Sequence, residues 1–304
     1  MPDSPRNARQ AKHIERRTPK NPASALAERW TVVDGVPVFY RESPQRPDAP
    51  AMMHVHGFGL SGRYLLPTAE LLREDFHTLV PDLPGFGRSG KARNMLDVPD
   101  LARAAKDFLD DRGVERATLV GNSMGCPVIV EFAHSFPERL ERAVLVSPAG
   151  GIYNQPLGRA MGQLARDGGR EPPKMVTVAT PDYVRFGVPS TFQMFRALTK
   201  YPTLARLLEM RIPTLVVVGT KDPLIPGPSR ISEIAEQTES HVLLVMLEGA
   251  AHAINFSHPR ELAHLIRLFM ADQPITDLPG GKGHSRVFEL HRGIHHPRPS
   301  SPPA

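Results

Sequence analysis

The sequence predicts an α/β protein built on a mostly parallel sheet, and three observations support this prediction. Short runs of Val, Leu and Ile alternate along the chain with stretches whose apolar residues recur at helical spacing. These runs are continuous rather than interrupted by polar residues, which is typical of strands covered by helices on both faces. The helical stretches between them are long enough to connect parallel strands by crossovers.

The first predicted elements lie between residues 30 and 83. The stretch WTVVDGVPVFYRES (30–43) predicts a hairpin, because Asp-Gly at 34–35 favours a two-residue turn. The apolar runs at 51–57 and 77–83 predict two buried strands. The stretch LLPTAELLRED between them has helical spacing.

The alternation of helix and strand continues to residue 273, with one interruption. Leu101, Ala105 and Phe108 lie on one face of the helix predicted over 98–114, and Gly113 is a typical helix end. The remaining strands are predicted at 117–120, 142–150, 212–223 and 241–252, and the remaining helices at 124–136, 228–238 and 259–273.

The interruption, residues 151–210, is too long for a simple connection between two strands. It contains helical stretches, and we expect it to form a small, mostly helical cap over the carboxyl ends of the strands. The predicted organisation is a disordered basic tail, a first core part, the cap, a second core part and a second disordered tail, at 1–27, 28–150, 151–210, 211–275 and 276–304.

Composition limits the class of protein. The 304-residue chain has a formal net charge of +5, but its basic excess is concentrated at the ends. Residues 1–20 contain six Lys and Arg against two acids, and residues 280–304 contain four against one. The body is therefore close to neutral, and we expect no nucleic-acid partner, since such binding uses a basic surface.

The expected location follows from two further features. Cys126 is the single cysteine, which is typical of a reducing compartment. The chain shows no apolar run that resembles a signal peptide or reaches the length of a membrane span. We therefore expect a soluble, cytoplasmic protein without a membrane span.

The stretch ATLVGNSMGCPVIVEF (117–132) places one serine between two glycines, where a strand is followed by a helix. A sharp turn at this point exposes the hydroxyl of Ser123 above the edge of the sheet. Gly121 and Gly125 allow the strand and the helix to approach closely, because neither carries a Cβ. The pattern predicts a nucleophilic serine.

A serine hydroxyl needs a base and an acid that orients the base. Asp222 follows the strand of VVVGTKDP, and His252 follows the strand of LEGAAH, so we predict these two residues as partners of Ser123. His258 competes with His252, but it precedes Pro259 at a helix start, where capping is the better interpretation.

An acyl-transfer site also needs hydrogen-bond donors for the oxyanion of its tetrahedral intermediate. One predicted donor is the backbone N–H of Met124, the residue after the nucleophile. The second is the N–H of Phe58, in the loop HGFG (56–59) that follows the third predicted strand.

Together these motifs resemble the α/β-hydrolase family over residues 30–273. The matching stretches are HVHGFG, VPDLPGFGRSG, GNSMG, GTKDPLIP and GAAHAINFSHPRELA, in the order of the family. The resemblance implies an eight-stranded, mostly parallel sheet flanked by helices, with a cap after the sixth strand. Within the family, the chain is most similar to the carboxylesterases and the carbon–carbon bond hydrolases of ring-fission products. GNSMG resembles the second group, from which the glycine-rich loop and Ala253 depart.

The predicted function is hydrolysis of a small carboxylic ester or related acyl compound through an acyl-enzyme, with no metal or organic cofactor. Two alternatives stay open: a carbon–carbon bond hydrolase with the same triad, and a non-catalytic ligand receptor on a hydrolase scaffold. Candidate substrate-binding residues are Tyr64, Asn122, Arg185, Phe192 and Phe195. The oligomeric state is not predicted.

Overall fold

The structure, a computed structural model, describes residues 25–46, 48–148, 157–225 and 242–290. Some side chains within these ranges are not described, namely those of residues 157, 160, 161, 164, 165 and 287–290. The helix predicted over 228–238 lies outside the described residues, as do most of the first predicted tail and residues 291–304.

Nine strands of the described residues form one sheet, in the order β1-β2-β4-β3-β5-β6-β7-β8-β9. The pairs β1/β2, β2/β4 and β8/β9 are antiparallel, and the remaining pairs are parallel. The mostly parallel α/β sheet is confirmed. Its strands are Ala27–Val33, Val36–Glu42, Ala51–Val55, His77–Pro81, Ala117–Asn122, Leu140–Val146, Thr214–Gly219, Val242–Leu247 and Ser285–Leu290.

The hairpin predicted over 30–43 is present, and it corresponds to β1 and β2. Asp34 and Gly35 both have positive φ, at 47° and 74°, as a two-residue hairpin turn of this type requires. The pairing of Val33 with Val36 closes the turn. Local sequence was enough here because the turn is specified by two adjacent residues.

The sheet differs from the expected eight strands by one strand, β9. Residues 285–290 pair antiparallel with β8, although the sequence predicts a disordered tail from residue 276. The stretch SRVFEL is short and lies among Gly, Pro and His residues, so its composition carries little strand signal. Its pairing depends on the unpaired backbone groups that the β8 edge offers, which a local pattern does not reveal.

Helices cover both faces of the sheet, as the continuous apolar strands predict. The core helices are α1 (Leu66–Leu72), α2 (Val98–Asp111), α3 (Gly125–Ser135), α8 (Ile254–Ser257) and α9 (Pro259–Met270). Neighbouring residues of β3 separate onto the two faces. Met53 packs in one core cluster with Phe108 and Phe132, whereas Met52 packs in the other with Leu262 and Ile266.

Four helices lie between β6 and β7, within the segment expected to be the cap. They are α4 (Leu157–Gly168), α5 (Pro173–Phe186), α6 (Val188–Lys200) and α7 (Thr203–Glu209). Gly187, with a φ of 83°, separates α5 from α6. The buried side chains of α6 include Met194, Phe195 and Leu198.

Candidate active site

Ser123 lies in the turn between the end of β5 and the start of α3. Its φ is +55°, a left-handed conformation that is uncommon for a residue with a Cβ. Such strain is kept at functional sites when the surrounding structure determines it. Here the backbone N–H of Ser123 donates to the carbonyl of Val146 at 3.0 Å, which fixes the turn against β6.

The two glycines around Ser123 are required by close backbone packing. A Cβ on Gly121 would lie 2.7 Å from the backbone of Gly125, and one on Gly125 would overlap the carbonyl oxygen of Val55. Distances this short are not tolerated between backbone atoms. The sequence-based reason for the two glycines therefore agrees with the geometry of the turn.

His252 and Asp222 form a buried pair at the carboxyl ends of β8 and β7. The Nδ1 of His252 donates to Oδ2 of Asp222 at 2.7 Å, while Oδ1 accepts from the backbone N–H of Leu224 at 2.8 Å. The Asp222 side chain is fully buried. This bonding leaves Nε2 of His252 as the nitrogen that can exchange a proton with a substrate or a nucleophile.

Ser123 and His252 lie on the wall of the same cavity, which has a volume of about 220 Å³. Asp222 does not line this cavity and contacts the imidazole of His252 through Nδ1. Within the described residues, the hydroxyl of Ser123 makes no hydrogen bond to a protein atom. Catalytic hydrogen bonds of this kind often tighten only when substrate is bound.

The carboxylates around His252 change its proton affinity. Burial disfavours the charged imidazolium, but the opposing charge of Asp222 and its hydrogen bond, followed by the charges of Asp167 and Glu171, outweigh burial. Together they raise the pKa of His252 to about 9. The imidazole is therefore a stronger base than an ordinary histidine.

Two backbone N–H groups at the cavity are available as oxyanion donors. Phe58 and Met124 both line the cavity, and neither N–H donates to another backbone group of the described residues. The N–H of Gly57 is not available, because it donates to the Tyr64 hydroxyl at 2.8 Å. Among the donors of this loop, Phe58 therefore remains the candidate.

Tyr64 and Asn122 lie at the cavity but use their polar atoms within the protein. The Tyr64 hydroxyl donates to Oδ1 of Asn122 at 2.7 Å. Nδ2 of Asn122 donates to the carbonyls of Val146 and His252, both at 3.1 Å. Since an amide carries two N–H donors, none is left for a substrate. These residues connect the loops of the site, and their assignment as substrate-binding residues is not supported by this bonding.

Phe195 is the aromatic residue of α6 that reaches the cavity. It is buried and packs edge-on against Phe58, with ring centroids 4.7 Å apart. Phe192 is 52% exposed, and Arg185 is also exposed. Neither residue lines the cavity, although the sequence predicts both as substrate-binding residues. The buried positions of α6 are 194, 195, 198 and 199, which places residue 192 on the outer face of the helix.

The helices between β6 and β7 are attached to the loop that carries Phe58. Oδ2 of Asp182 on α5 accepts from both the N–H and the hydroxyl of Ser61, at 3.0 and 2.6 Å. Tyr183 lies so close to Gly59 that a Cβ at that position would clash with its ring. Helix α5 therefore contributes directly to the placement of the loop with the candidate oxyanion donor.

The sequence did not point to Asp167, Glu171, Ala179 and Tyr183, all of which line the cavity. Ala179 and Tyr183 follow Met175, which also lines the cavity, at a spacing of four residues on α5, so helical periodicity could have identified this face. Asp167 and Glu171 lie at the end of α4 and in the following turn. The local sequence around these two acidic residues does not indicate a role in the site, because their contacts are with distant parts of the chain.

Within the part of the chain that the structure describes, no group of three or more His, Cys, Asp or Glu side chains is placed to hold a metal ion. In the same residues, no helix combines the length and the apolar character that crossing a bilayer needs.

Comparisons with known proteins identify the family of the chain. The model of the alpha/beta hydrolase family matches residues 52–265. A putative carbamate hydrolase, RutD, of Pseudomonas syringae is 27% identical over 254 residues, covering 76% of this chain and 97% of the relative. A 2-hydroxy-6-oxo-6-phenylhexa-2,4-dienoate hydrolase of Comamonas testosteroni is 33% identical over 120 residues, which is 37% of this chain and 40% of the relative.

A similar solved structure is the carboxylesterase CesB of Bacillus subtilis. It has a TM-score of 0.66 at 20% identity and covers 82% of this chain and 93% of its own, a likeness of fold. Three uncharacterized mycobacterial proteins are 37% identical over 103 residues, and the chain spans only 30% of their length. The family match covers more than half of the sequence, and the chain belongs to the alpha/beta hydrolase family.

Proposed function

We propose that the protein is a serine hydrolase that cleaves small carboxylic esters or related acyl compounds. The observation that carries this proposal is that Ser123, in its strained turn, and His252, which is bonded to the buried Asp222, line one cavity. In this arrangement Ser123 is the nucleophile, His252 the general base and acid, and Asp222 the group that orients the imidazole.

The reaction follows from these roles. Nε2 of His252 takes the proton of the Ser123 hydroxyl as its oxygen attacks the substrate carbonyl. The N–H groups of Phe58 and Met124 stabilise the negative oxygen of the tetrahedral intermediate. His252 then protonates the departing alkoxide oxygen, which leaves as the alcohol, and a water activated by the same imidazole releases the acid from the acyl-enzyme.

The apolar lining of the cavity favours a substrate with an apolar acyl group. Its lining includes the apolar side chains of Leu60, Met175, Phe195 and Leu198, and its volume is about 220 Å³. Apolar surface buried on binding contributes roughly 25 cal/mol per Å² before the costs of association are subtracted. We propose that the helices between β6 and β7 act as a cap that forms the roof of this cavity.

Carbon–carbon bond hydrolysis is the second candidate, and the Comamonas relative favours it. A ring-fission product carries a carboxylate, which needs a cationic partner in the site. Within the described residues, no Lys or Arg lines the cavity, and Arg185 and Arg196 of the cap are exposed. Asp167 and Glu171 line it instead, and their negative charge opposes an acidic substrate. Ester hydrolysis is therefore the preferred proposal.

A substrate screen tests the proposal. Purified protein is assayed with p-nitrophenyl esters of graded acyl length and, in parallel, with one vinylogous diketone ring-fission product. We expect hydrolysis of short or medium esters, loss of turnover in Ser123→Ala, and little cleavage of the diketone. Faster cleavage of the diketone than of any ester would favour the second candidate. Absence of any turnover would favour a ligand receptor.

A further inference from the structure

One segment of the cap contacts both loops that carry the Asp222–His252 pair. It comprises residues 163–171, the end of α4 and the turn after it. Nε2 of Gln163 donates to the carbonyl of Pro223 at 3.0 Å, and the guanidinium of Arg170 donates to the carbonyl of Lys221. The segment therefore binds the chain on both sides of Asp222.

The two acidic residues of this segment bind the His252 loop. Oδ1 of Asp167 accepts from the backbone N–H of His252 at 3.3 Å, and Oε1 of Glu171 accepts from the N–H of Ala253 at 2.6 Å. Asp167 is buried, and both residues line the cavity together with Ser123. Among the described residues, the charged groups that act on the imidazole are these two and Asp222.

We propose that Asp167 and Glu171 are positioning residues for His252, which hold its loop by two backbone N–H groups and place negative charge beside the imidazole. This inference rests on the proposed function, in which His252 is the general base. Hydrogen bonds from backbone N–H groups to carboxylates are stronger than neutral ones, and they restrict where the imidazole can lie. The added charge stabilises the imidazolium that forms during the reaction.

The electrostatics of the segment agree with this role. Burial raises the pKa of Glu171 to about 7, and burial also raises the pKa of Asp167. Glu171 is therefore largely ionised by the time His252 loses its proton, near a pKa of about 9. The cost of this arrangement is that, at pH 7, only a minor fraction of His252 is in the neutral form that acts as a base.

Paired substitutions separate charge from positioning. Asp167→Asn and Glu171→Gln keep an oxygen that accepts the backbone hydrogen bond but remove the charge. We expect the midpoint of the rise of kcat/KM with pH to shift downward. A shift of about 0.3 pH units would increase kcat/KM at pH 7 about twofold, and we expect at least this increase. Asp167→Ala and Glu171→Ala also lose the acceptor. We expect their kcat at high pH to fall about tenfold with little change in KM, because the base is misplaced.

A matched control and two contrary results complete the test. Glu209→Gln removes an exposed acid of α7 and should leave the pH profile unchanged. A wild-type pH profile in both Asp167→Asn and Glu171→Gln would overturn the role of charge, and wild-type kcat at high pH in both alanine variants would overturn positioning. Urea unfolding of each variant identifies those that fail to fold, and the Asn and Gln variants keep the hydrogen bonds of the loop.

The titration of His252 measured by NMR makes the test independent of turnover. Its imidazole signal is assigned as the one missing in His252→Gln. We expect the midpoint to fall in Asp167→Asn and in Glu171→Gln. If no ester is hydrolysed but the midpoint falls, the proposed function fails while the electrostatic role stands. If esters are hydrolysed and the midpoint does not move, the inference fails and the proposed function stands.

Discussion

The Tyr64 hydroxyl connects two loops of the site, and its removal gives a sharp prediction. It accepts from the N–H of Gly57 and donates to Oδ1 of Asn122, and the residue is 1% exposed. Tyr64→Phe keeps the ring but leaves both partners buried without a hydrogen bond. Each unsatisfied buried group costs about 1–3 kcal/mol, so we expect the free energy of unfolding to fall by about 2–6 kcal/mol.

Urea unfolding followed by circular dichroism measures this loss. With a slope of about 1–3 kcal/mol/M, the midpoint should fall by roughly 1 M or more. Tyr183→Phe is the control, since the Tyr183 hydroxyl has no hydrogen-bonding partner among the described residues, and its midpoint should stay near the wild type. We also expect a lower kcat in Tyr64→Phe, because Gly57 precedes the candidate oxyanion donor Phe58. Equal midpoints for Tyr64→Phe and the wild type would refute this reasoning.

Three further predictions use the same geometry. First, kcat/KM should rise with pH up to about 9, since His252 must be neutral to act as the base. The folded state also holds the His252 proton more tightly than the unfolded state does. The resulting contribution to the free energy of unfolding is complete below about pH 6.5 and should be lost as the pH rises to 9. A plateau of kcat/KM from pH 7 would contradict this. Second, Gly125→Ala should cost more than about 2 kcal/mol in urea unfolding, because its Cβ would overlap the Val55 carbonyl; a midpoint equal to the wild type would contradict it. Third, Phe195→Ala should change the preferred acyl length in an ester series, whereas the exposed Phe192→Ala should not; equal effects would argue against this cavity as the acyl site.

Much of the architecture was predictable because it depends on local signals. The hairpin depends on Asp34 and Gly35, and the parallel strands depend on continuous apolar runs. The turn at Ser123 depends on Gly121 and Gly125, which the backbone geometry requires. Each of these features is encoded within a few consecutive residues.

The remaining features depend on contacts between distant parts of the chain. The strand β9 exists through pairing with β8, and Asp167 meets His252 across 85 positions of sequence. On α6, the candidates Phe192 and Phe195 are three residues apart, yet one is exposed and one is buried. Periodicity identifies an amphipathic helix but does not determine which edge of its apolar face reaches a cavity.

The central claim is that Ser123 is a nucleophile activated by His252, and covalent labelling tests it most directly. The protein is incubated with a fluorophosphonate probe, and the adduct is located by mass spectrometry of peptides. We predict one adduct on the peptide with Ser123, none in Ser123→Ala, and much slower labelling in His252→Ala. Failure of the wild type to react, or equal labelling of Ser123→Ala, would contradict the account.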